Sequence, residues 1–220
     1  MTAIRPSAFG FPIMVEVRDT PVFVAGGGRE APAKVRALAV LGARVVLWTA
    51  DPGLAGEPVD QLAVTAHSGA FAQDLLEGAR IAIVDTGDRD LDRRIASDAR
   101  ARHVLVNVVD DPGSCDWSAP AILRRGDLTI AIASAGIAPA LASRLRDRLR
   151  SAIGPEYGDL VAMFAEVRPR IMASGRSLTD RRRLWYELVD GPALELLRAG
   201  KARDAREAIR VAIGVWEARR

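Results

Sequence analysis

The sequence is poor in cysteine and histidine, and it lacks long apolar runs and any large excess of charge. Its single cysteine excludes an internal disulfide and favours a reducing cytoplasm. One cysteine and two histidines, without ligand spacing, predict no preformed metal site. No apolar run reaches the length of a membrane span and no signal-like leader follows Met1, so we expect a cytoplasmic protein without a membrane partner. The net charge of +3 is too small to predict a nucleic-acid partner.

The most informative stretch lies at residues 22–31, where four apolar residues run into three glycines and a helical pattern follows at once. This order is typical of the strand, tight turn and helix that bind a dinucleotide, with the phosphates on the helix N-terminus. A plain turn between a buried strand and a helix is the alternative. The residues predicted to contact the cofactor here are Gly26, Gly27, Gly28, Arg29, Glu30 and Ala31.

The second strand of such a unit should end near an acid that binds the adenosine ribose. Asp51 lies close to that place, just past the predicted strand at residues 44–49, whereas Trp48 or Thr49 occupies the strand end. The ribose contact therefore stays open between Thr49 and Asp51. No arginine pair follows to meet a 2′-phosphate, which favours NAD over NADP.

Strand and helix patterns alternate through the first half of the chain. Apolar runs at residues 80–86 and 103–109 predict buried strands, residues 63–66 a further candidate strand, and residues 11–17 a short one before the glycines. Residues 90–102 carry a helical spacing between them. The fold class we predict is α/β, with a Rossmann-type parallel sheet whose ligands bind at the carboxyl ends of the strands. Gly26, Thr86 and Asp110 should converge there.

The second half differs, because a hairpin pattern at residues 121–133 and a helix at 139–149 precede an all-helical C-terminal region. The predicted helices in that region span residues 158–167, 179–188, 193–198 and 202–218, with Thr179 or Asp180 as an N-cap. We therefore divide the chain into a nucleotide-binding domain at residues 1–112, a dimerisation segment at 113–150 and a helical domain at 151–220.

Residues 9–150 carry motifs that resemble the siroheme synthase N-terminal family, whose members are precorrin-2 dehydrogenases, some of which also insert iron. The motifs are the glycine stretch with Ala31 and Lys34, Leu41-Gly42-Ala43-Arg44-Val45, Asn107-Val108-Val109-Asp110, Cys115-Asp116-Trp117, the Arg124-Arg125-Gly126-Asp127 hairpin and Pro139-Ala140-Leu141-Ala142. A generic dinucleotide-binding protein does not carry the Asn-Val-Val-Asp block followed by this hairpin and helix.

The resemblance implies NAD-dependent oxidation of precorrin-2 to sirohydrochlorin by a homodimer, with ferrous iron as a further partner where iron is inserted. It implies that Asp110 is the acid/base residue, although an aspartate after a strand is also a common turn residue. It further implies cofactor contacts from Thr86 and Val108. The tetrapyrrole contacts it implies are Asn107, Ser134, Gly136 and Pro139.

Three positions depart from the family pattern: Gly87 replaces an acid, Asp92 stands where asparagine is usual, and Ala133 replaces a serine. These departures motivate a second hypothesis, in which a catalytically altered member binds a tetrapyrrole or a nucleotide without turnover. A third is an unrelated dinucleotide-binding protein whose basic helical tail docks a partner.

Overall fold

The computed structural model describes residues 11–27, 31–52 and 63–219. The chain forms two compact units. The first runs to Ala119 and includes Ala135–Ile137, and the second consists of Pro120–Ser134 and the residues from Ala138 onward. Among the described residues, no helix is long and apolar enough to cross a membrane.

The first unit is built on a five-stranded parallel sheet with the strand order β3-β2-β1-β4-β5. Its strands are β1 (Pro21–Gly26), β2 (Arg44–Thr49), β3 (Val64–Ser68), β4 (Ile81–Asp85) and β5 (Leu105–Val108), and its helices are α1 (Ala31–Val40) and α2 (Arg89–Ala101). The predicted α/β class and parallel sheet are confirmed.

The centre of the sheet is apolar on both faces. Residues 22–25 of β1 are fully buried, as expected for a parallel strand covered on both sides. Phe23 packs in one cluster with Ile95 of α2, whereas Val22 packs in another with Val35 of α1. Because successive side chains of a strand point to opposite faces, the two helices cover opposite sides of the sheet.

Side chains from the segment after β5 cover the outer edge of that strand. Asp116 accepts a hydrogen bond from the Val106 amide at 3.0 Å and donates its own amide to the Val106 carbonyl at 2.7 Å. The sulfur of Cys115 accepts a hydrogen bond from the Val108 amide at 3.2 Å, and its thiol donates to the Val108 carbonyl at 3.1 Å. The indole of Trp117 donates to the Leu105 carbonyl at 3.2 Å. This segment therefore blocks the pairing of β5 with another strand.

Two strand predictions have different outcomes. The candidate strand at residues 63–66 is confirmed, since it forms β3 beside β2. The strand predicted at residues 11–17 is wrong: those residues are described and form no strand. Val17 of this segment is nevertheless buried in the cluster on the α1 side of the sheet. Its side chain therefore contributes to packing although the segment pairs with no strand.

The second unit joins an antiparallel hairpin to a group of helices. Its strands are β6 (Ala121–Arg125) and β7 (Leu128–Ile132), and its helices are α3 (Pro139–Ala152), α4 (Glu156–Met172), α5 (Leu178–Val189), α6 (Ala193–Arg198) and α7 (Ala202–Ala218). The all-helical C-terminal region is thus confirmed. The N-cap of α5 is Ser177, whose hydroxyl accepts from the Asp180 amide at 3.1 Å, and not Thr179 or Asp180.

The hairpin is anchored to the helices of its own unit. Arg125 donates to the Ile153 carbonyl at 2.8 Å and to the Arg150 carbonyl at 3.0 Å, at the C-terminal end of α3. A Cβ on Gly158 of α4 would lie 2.9 Å from the Arg125 carbonyl carbon, so only glycine permits this approach. The helical core beyond it contains the buried side chains of Ile171, Leu184, Ile213 and Trp216.

Candidate functional site

The carboxyl ends of the parallel strands bring three predicted positions, Gly26, Thr49 and Val108, to one edge of the first unit. Gly26 at the end of β1 is paired with Asp85 at the end of β4, and Val84 is paired with Val108 at the end of β5. Thr49 ends β2 on the other side of β1. This is the edge at which open parallel sheets bind their ligands.

The backbone at the end of β1 admits only glycine. Gly26 has φ +139°, and a Cβ there would lie 1.9 Å from the Asp85 carbonyl oxygen, so no side chain fits. Gly27 is exposed, and Ala31 is buried where α1 packs on the sheet. The first turn of α1 contains no acidic residue, so nothing in it opposes an anion at the helix N-terminus. The predicted contacts Gly28, Arg29 and Glu30 lie outside the described residues.

Thr49 and Asp51 form a short turn at the end of β2. Thr49 is almost fully buried, and its hydroxyl accepts a hydrogen bond from the Asp51 amide at 3.1 Å. Asp51 is exposed. Of the two candidates for the ribose, Asp51 is therefore the one whose position lies open to solvent.

Thr86 is held by Asp92, one of the positions that depart from the family pattern. The buried carboxylate of Asp92 accepts from the Thr86 amide at 3.0 Å and from its hydroxyl at 2.6 Å. The Thr86 oxygen in turn accepts from the Asp88 amide at 3.2 Å, and Asp88 caps α2 through the amides of residues 90 and 91. An asparagine at position 92 could accept the same two bonds only through its carbonyl oxygen.

Two adjacent carboxylates follow β5, and their surroundings differ. Asp111 accepts from the Ser114 hydroxyl at 3.0 Å and from Arg93 at 3.3 Å, and these contacts hold the pKa of Asp111 below its ordinary value. Asp110 is exposed and adopts the left-handed backbone conformation with φ +57°. Within the described part of the chain, no group hydrogen-bonds to the Asp110 carboxylate. Of this pair, Asp110 is thus the carboxylate available to a ligand.

Asn107 and Val108 are engaged with the segment that covers β5. The Asn107 amide donates to the Trp117 carbonyl at 2.9 Å, and the Val108 amide and carbonyl both contact Cys115. Partial burial raises the pKa of the Cys115 thiol. Cys115 is therefore a neutral packing and hydrogen-bonding group, as expected for a buried thiol.

The remaining predicted tetrapyrrole contacts fall in both units. Gly136 belongs to the first unit and has φ +78°. A Cβ at this position would lie 4.0 Å from Cγ of Pro112. Ser134 and Pro139 belong to the second unit. Ser134 accepts from the Ala138 amide at 3.1 Å and so closes the turn that leads into α3, where Pro139 is the first residue.

The sequence analysis did not single out Arg89, Arg93 or Ser114. All three contact the turn around Asp110, since Arg89 donates to the Val109 carbonyl at 2.9 Å. The spacing of the arginines at i and i+4 on a helix is visible in the sequence, but their target is not, because the contact joins residues far apart in the chain. No three histidine, cysteine, aspartate or glutamate side chains within the described ranges are placed to hold a metal ion.

Three family models match successive parts of the chain. An NAD(P)-binding model matches residues 13–121, a sirohaem biosynthesis protein central model matches residues 125–152, and a sirohaem synthase dimerisation region model matches residues 156–213. The last of these lies C-terminal to the segment 113–150 that we expected to mediate dimerisation.

Curated relatives and a solved structure agree with these matches. The siroheme synthase of Chromobacterium violaceum is 37% identical over 199 residues, which are 89% of this chain and 42% of that protein. The siroheme synthase of Methylococcus capsulatus is 33% identical over 199 residues, with 90% and 42% covered. The chain thus spans less than half the length of these relatives. The structure of SirC, a precorrin-2 dehydrogenase, superposes with a TM-score of 0.66 at 20% identity and covers 91% of this chain and 98% of that one, which shows a shared fold.

Proposed function

The chain belongs to the siroheme synthase N-terminal family, and from this premise we propose that it oxidises precorrin-2 to sirohydrochlorin with NAD as the hydride acceptor. In this reaction one hydride and one proton leave the macrocycle, so that precorrin-2 and NAD⁺ give sirohydrochlorin, NADH and a proton. The cofactor, when bound, supplies the acceptor for the hydride. The protein must bind both molecules at one place and accept the proton.

The first unit supplies the residues that would hold the dinucleotide. Gly26 would allow the sharp turn out of β1, Gly28 would leave room for the pyrophosphate beside the backbone, and the acid-free first turn of α1 favours its charge. Asp51 would contact the adenosine ribose, where its carboxylate repels the extra phosphate of NADP. This is our reason for preferring NAD.

The observation that carries the proposal is the unpaired, exposed carboxylate of Asp110 beside the nucleotide edge. Its neighbour Asp111 is bound by Ser114 and Arg93, whereas Asp110 has no such contact among the residues described. A general base must be free to meet its substrate, and an ionised carboxylate at a strand end can accept the proton that leaves the macrocycle. We therefore assign proton acceptance to Asp110.

We propose that the active species is a homodimer and that the second unit carries the contacts between subunits. The dimerisation region model covers residues 156–213. In the same region, α5 exposes Leu178, Tyr186 and Val189 along one side of the helix. These residues would be covered by a second copy.

Insertion of ferrous iron into sirohydrochlorin is a second activity that the same carboxylate could serve. Metal insertion releases protons from the pyrrole nitrogens, and the unpaired Asp110 could accept them. Here iron is a substrate and needs no resident metal site in the protein.

The test is turnover of enzymatically prepared precorrin-2, followed by NADH absorbance, with NAD and NADP supplied in parallel. We compare the full chain with Asp110→Asn, because asparagine tolerates the left-handed backbone at this position whereas alanine would add strain. We expect kcat to fall about 10²-fold or more in the variant, with unchanged NAD affinity and unchanged thermal stability. Asp111→Asn is the matched control: Ser114 and Arg93 both contact one oxygen of Asp111, so the amide oxygen of asparagine can keep both contacts, and most of the turnover should be retained.

The alternative hypothesis makes a different prediction in the same assay. If the protein binds the tetrapyrrole but neither NAD nor NADP is reduced, the dehydrogenase proposal fails and a binding protein without turnover is favoured. Equal rates with NAD and NADP would remove the role of Asp51. Sirohydrochlorin and Fe²⁺ added to both proteins show whether iron insertion also depends on Asp110.

A further inference from the structure

We propose that Arg89 and Arg93 of α2 are positioning residues that hold the turn at Asp110 and thereby place its carboxylate for proton transfer. This inference rests on the proposed function and deepens it. Neither arginine touches the substrate in this account. They act through the residues on either side of Asp110.

Asp110 has an unusual backbone conformation. Its φ of +57° lies in the left-handed region, which aspartate adopts more readily than most residues but which is still uncommon for any residue other than glycine. Such a conformation persists only where surrounding contacts fix it, and such residues cluster at functional sites. The carboxylate itself supplies no such contact among the described residues, so the flanking residues must.

Hydrogen bonds fix both neighbours of Asp110, and an arginine contributes to each set. On one side, the Val109 amide donates to the Val84 carbonyl at 2.9 Å, and the Val109 carbonyl accepts from Arg89 at 2.9 Å. On the other side, the Asp111 carboxylate accepts from Arg93 at 3.3 Å and from Ser114 at 3.0 Å. Among the described residues, the Asp110 side chain thus has no hydrogen-bond partner, whereas Val109 and Asp111 on either side of it do.

Both arginines lie on α2, which is firmly packed on the sheet. α2 is capped by Asp88 and packs through Ile95 and Ala96, both fully buried, against the sheet. Arg89 and Arg93 are one helical turn apart and lie on the same side of this helix. A group held on a packed helix and directed at a turn is suited to fixing the direction of the side chain between its contacts.

The experiment compares Arg89→Gln, Arg93→Gln and the double variant with the wild-type protein, using full chains throughout. We expect kcat for precorrin-2 oxidation to fall about tenfold in the double variant, while KM for NAD changes less than about twofold. Arg93→Lys keeps a charged donor at this position, so its kcat should recover at least half of the loss seen in Arg93→Gln. A crystal structure of the double variant should show that φ of Asp110 has left the left-handed region.

The matched control is Arg100→Gln. Arg100 lies on the same helix and pairs with Asp116 at 2.8 Å, away from the Asp110 turn. It should lower thermal stability about as much as Arg93→Gln does and leave kcat unchanged. Equal kcat losses in the two variants would mean a general structural effect and would overturn the proposal.

Two further outcomes separate this inference from the proposed function. An increase in KM for NAD with unchanged kcat would make the arginines anion-binding groups and would overturn the positioning role. If the wild-type protein shows no turnover at all, the proposed function fails, and the φ angle of Asp110 in the double variant then decides the positioning claim alone. An unchanged φ would refute it.

Discussion

The strand ends of the first unit and helix α5 of the second unit carry different kinds of exposed side chain. In the first unit, β1 is fully buried from residue 22 to 25, and the outer edge of β5 is covered by the segment 115–117. In the second unit, Trp216 and Ile213 form a sealed centre, but Leu178, Tyr186 and Val189 of α5 stay more than half exposed. The strand ends of the first unit thus present polar groups and α5 presents apolar side chains, although the first unit also exposes Phe11, Met14 and Val40 elsewhere in its sequence.

This difference teaches how the two units divide the work. A sheet buried on both faces fixes its strand ends rigidly, and a site that transfers hydride and proton needs such placement. An apolar helix side left open to water is typical of a surface that another protein covers. Under the proposed function, the chemistry would take place at the edge of the first unit and self-association would use the second.

The largest effect that would disturb this comparison is expected from Gly26→Ala in the first unit. The added Cβ would meet the Asp85 carbonyl oxygen at 1.9 Å, so β1 and β4 must separate at the nucleotide edge. We expect the free energy of unfolding to fall by about 3 kcal/mol or more and NAD binding to be lost. Urea unfolding and NAD titration measure the two effects.

Gly87→Ala is the control for that prediction. Gly87 also has a positive φ, +84°, but its added Cβ would meet nothing within 4 Å. It should therefore cost only the backbone strain, about 1 kcal/mol. Similar losses in both variants would show that strain, and not the close approach of two strands, decides the requirement for glycine at position 26.

A smaller effect is expected when the exposed side of α5 is made polar by Leu178→Ser with Val189→Ser. Both side chains are largely exposed in the single chain, so folding should be unchanged. Self-association should weaken by about 2 kcal/mol, or about thirtyfold in the dimer Kd. Sedimentation equilibrium measures this constant.

The matched control uses Leu141→Ser with Leu145→Ser on α3, where both side chains are also exposed. Those residues lie in the segment 113–150 that the sequence analysis assigned to dimerisation, and outside the region of the dimerisation model. If this pair dissociates the dimer and the α5 pair does not, the interface belongs to the hairpin and α3.

The first unit was largely predictable because its signals are local. A buried apolar run, glycines and a helical period predict β1 and α1 there, and in the second unit the bounds of α6 and α7 follow from helical spacing alone. The strand predicted at residues 11–17 does not form, because an apolar pattern does not reveal whether a neighbouring strand is available for pairing. Sequence patterns define elements far better than contacts between distant elements.

The candidate site was predictable only in part for the same reason. The glycine motif and the strand-end aspartate identify Gly26 and Asp110, but nothing local predicts that Asp110 adopts a left-handed conformation. That Asp92 binds the Thr86 hydroxyl, or that Arg93 pairs with Asp111, depends on how α2 packs beside the ends of β4 and β5. The remaining site predictions, including Ser134 and Pro139, stay predictions.

The smallest expected effect concerns charge on the surface of the second unit. Glu217 of α7 forms a bidentate pair with Arg170 of α4, at 2.8 and 2.5 Å, and the hydrogen bond and charge of Arg170 lower the pKa of Glu217 below 4.5. A carboxyl whose pKa is lowered by folding stabilises the protein above its ordinary pKa, and this contribution is lost as the pH falls through the lowered value. Because both side chains are substantially exposed, Glu217→Gln should lower Tm by only about 2 °C at pH 7.

That difference in Tm should shrink as the pH falls below 4.5 and through the lowered pKa of Glu217, because a protonated glutamate and a glutamine are equivalent partners for Arg170. Glu207→Gln is the control, since Glu207 pairs with Arg210 within α7 and joins no two helices. It should change Tm less than Glu217→Gln does, because a pair within one helix leaves the packing of α4 on α7 untouched. Thermal unfolding of the three proteins between pH 7 and pH 3 decides the point. A difference in Tm that does not shrink at all as the pH falls would mean that side-chain packing, and not the charge of Glu217, joins the two helices at this position.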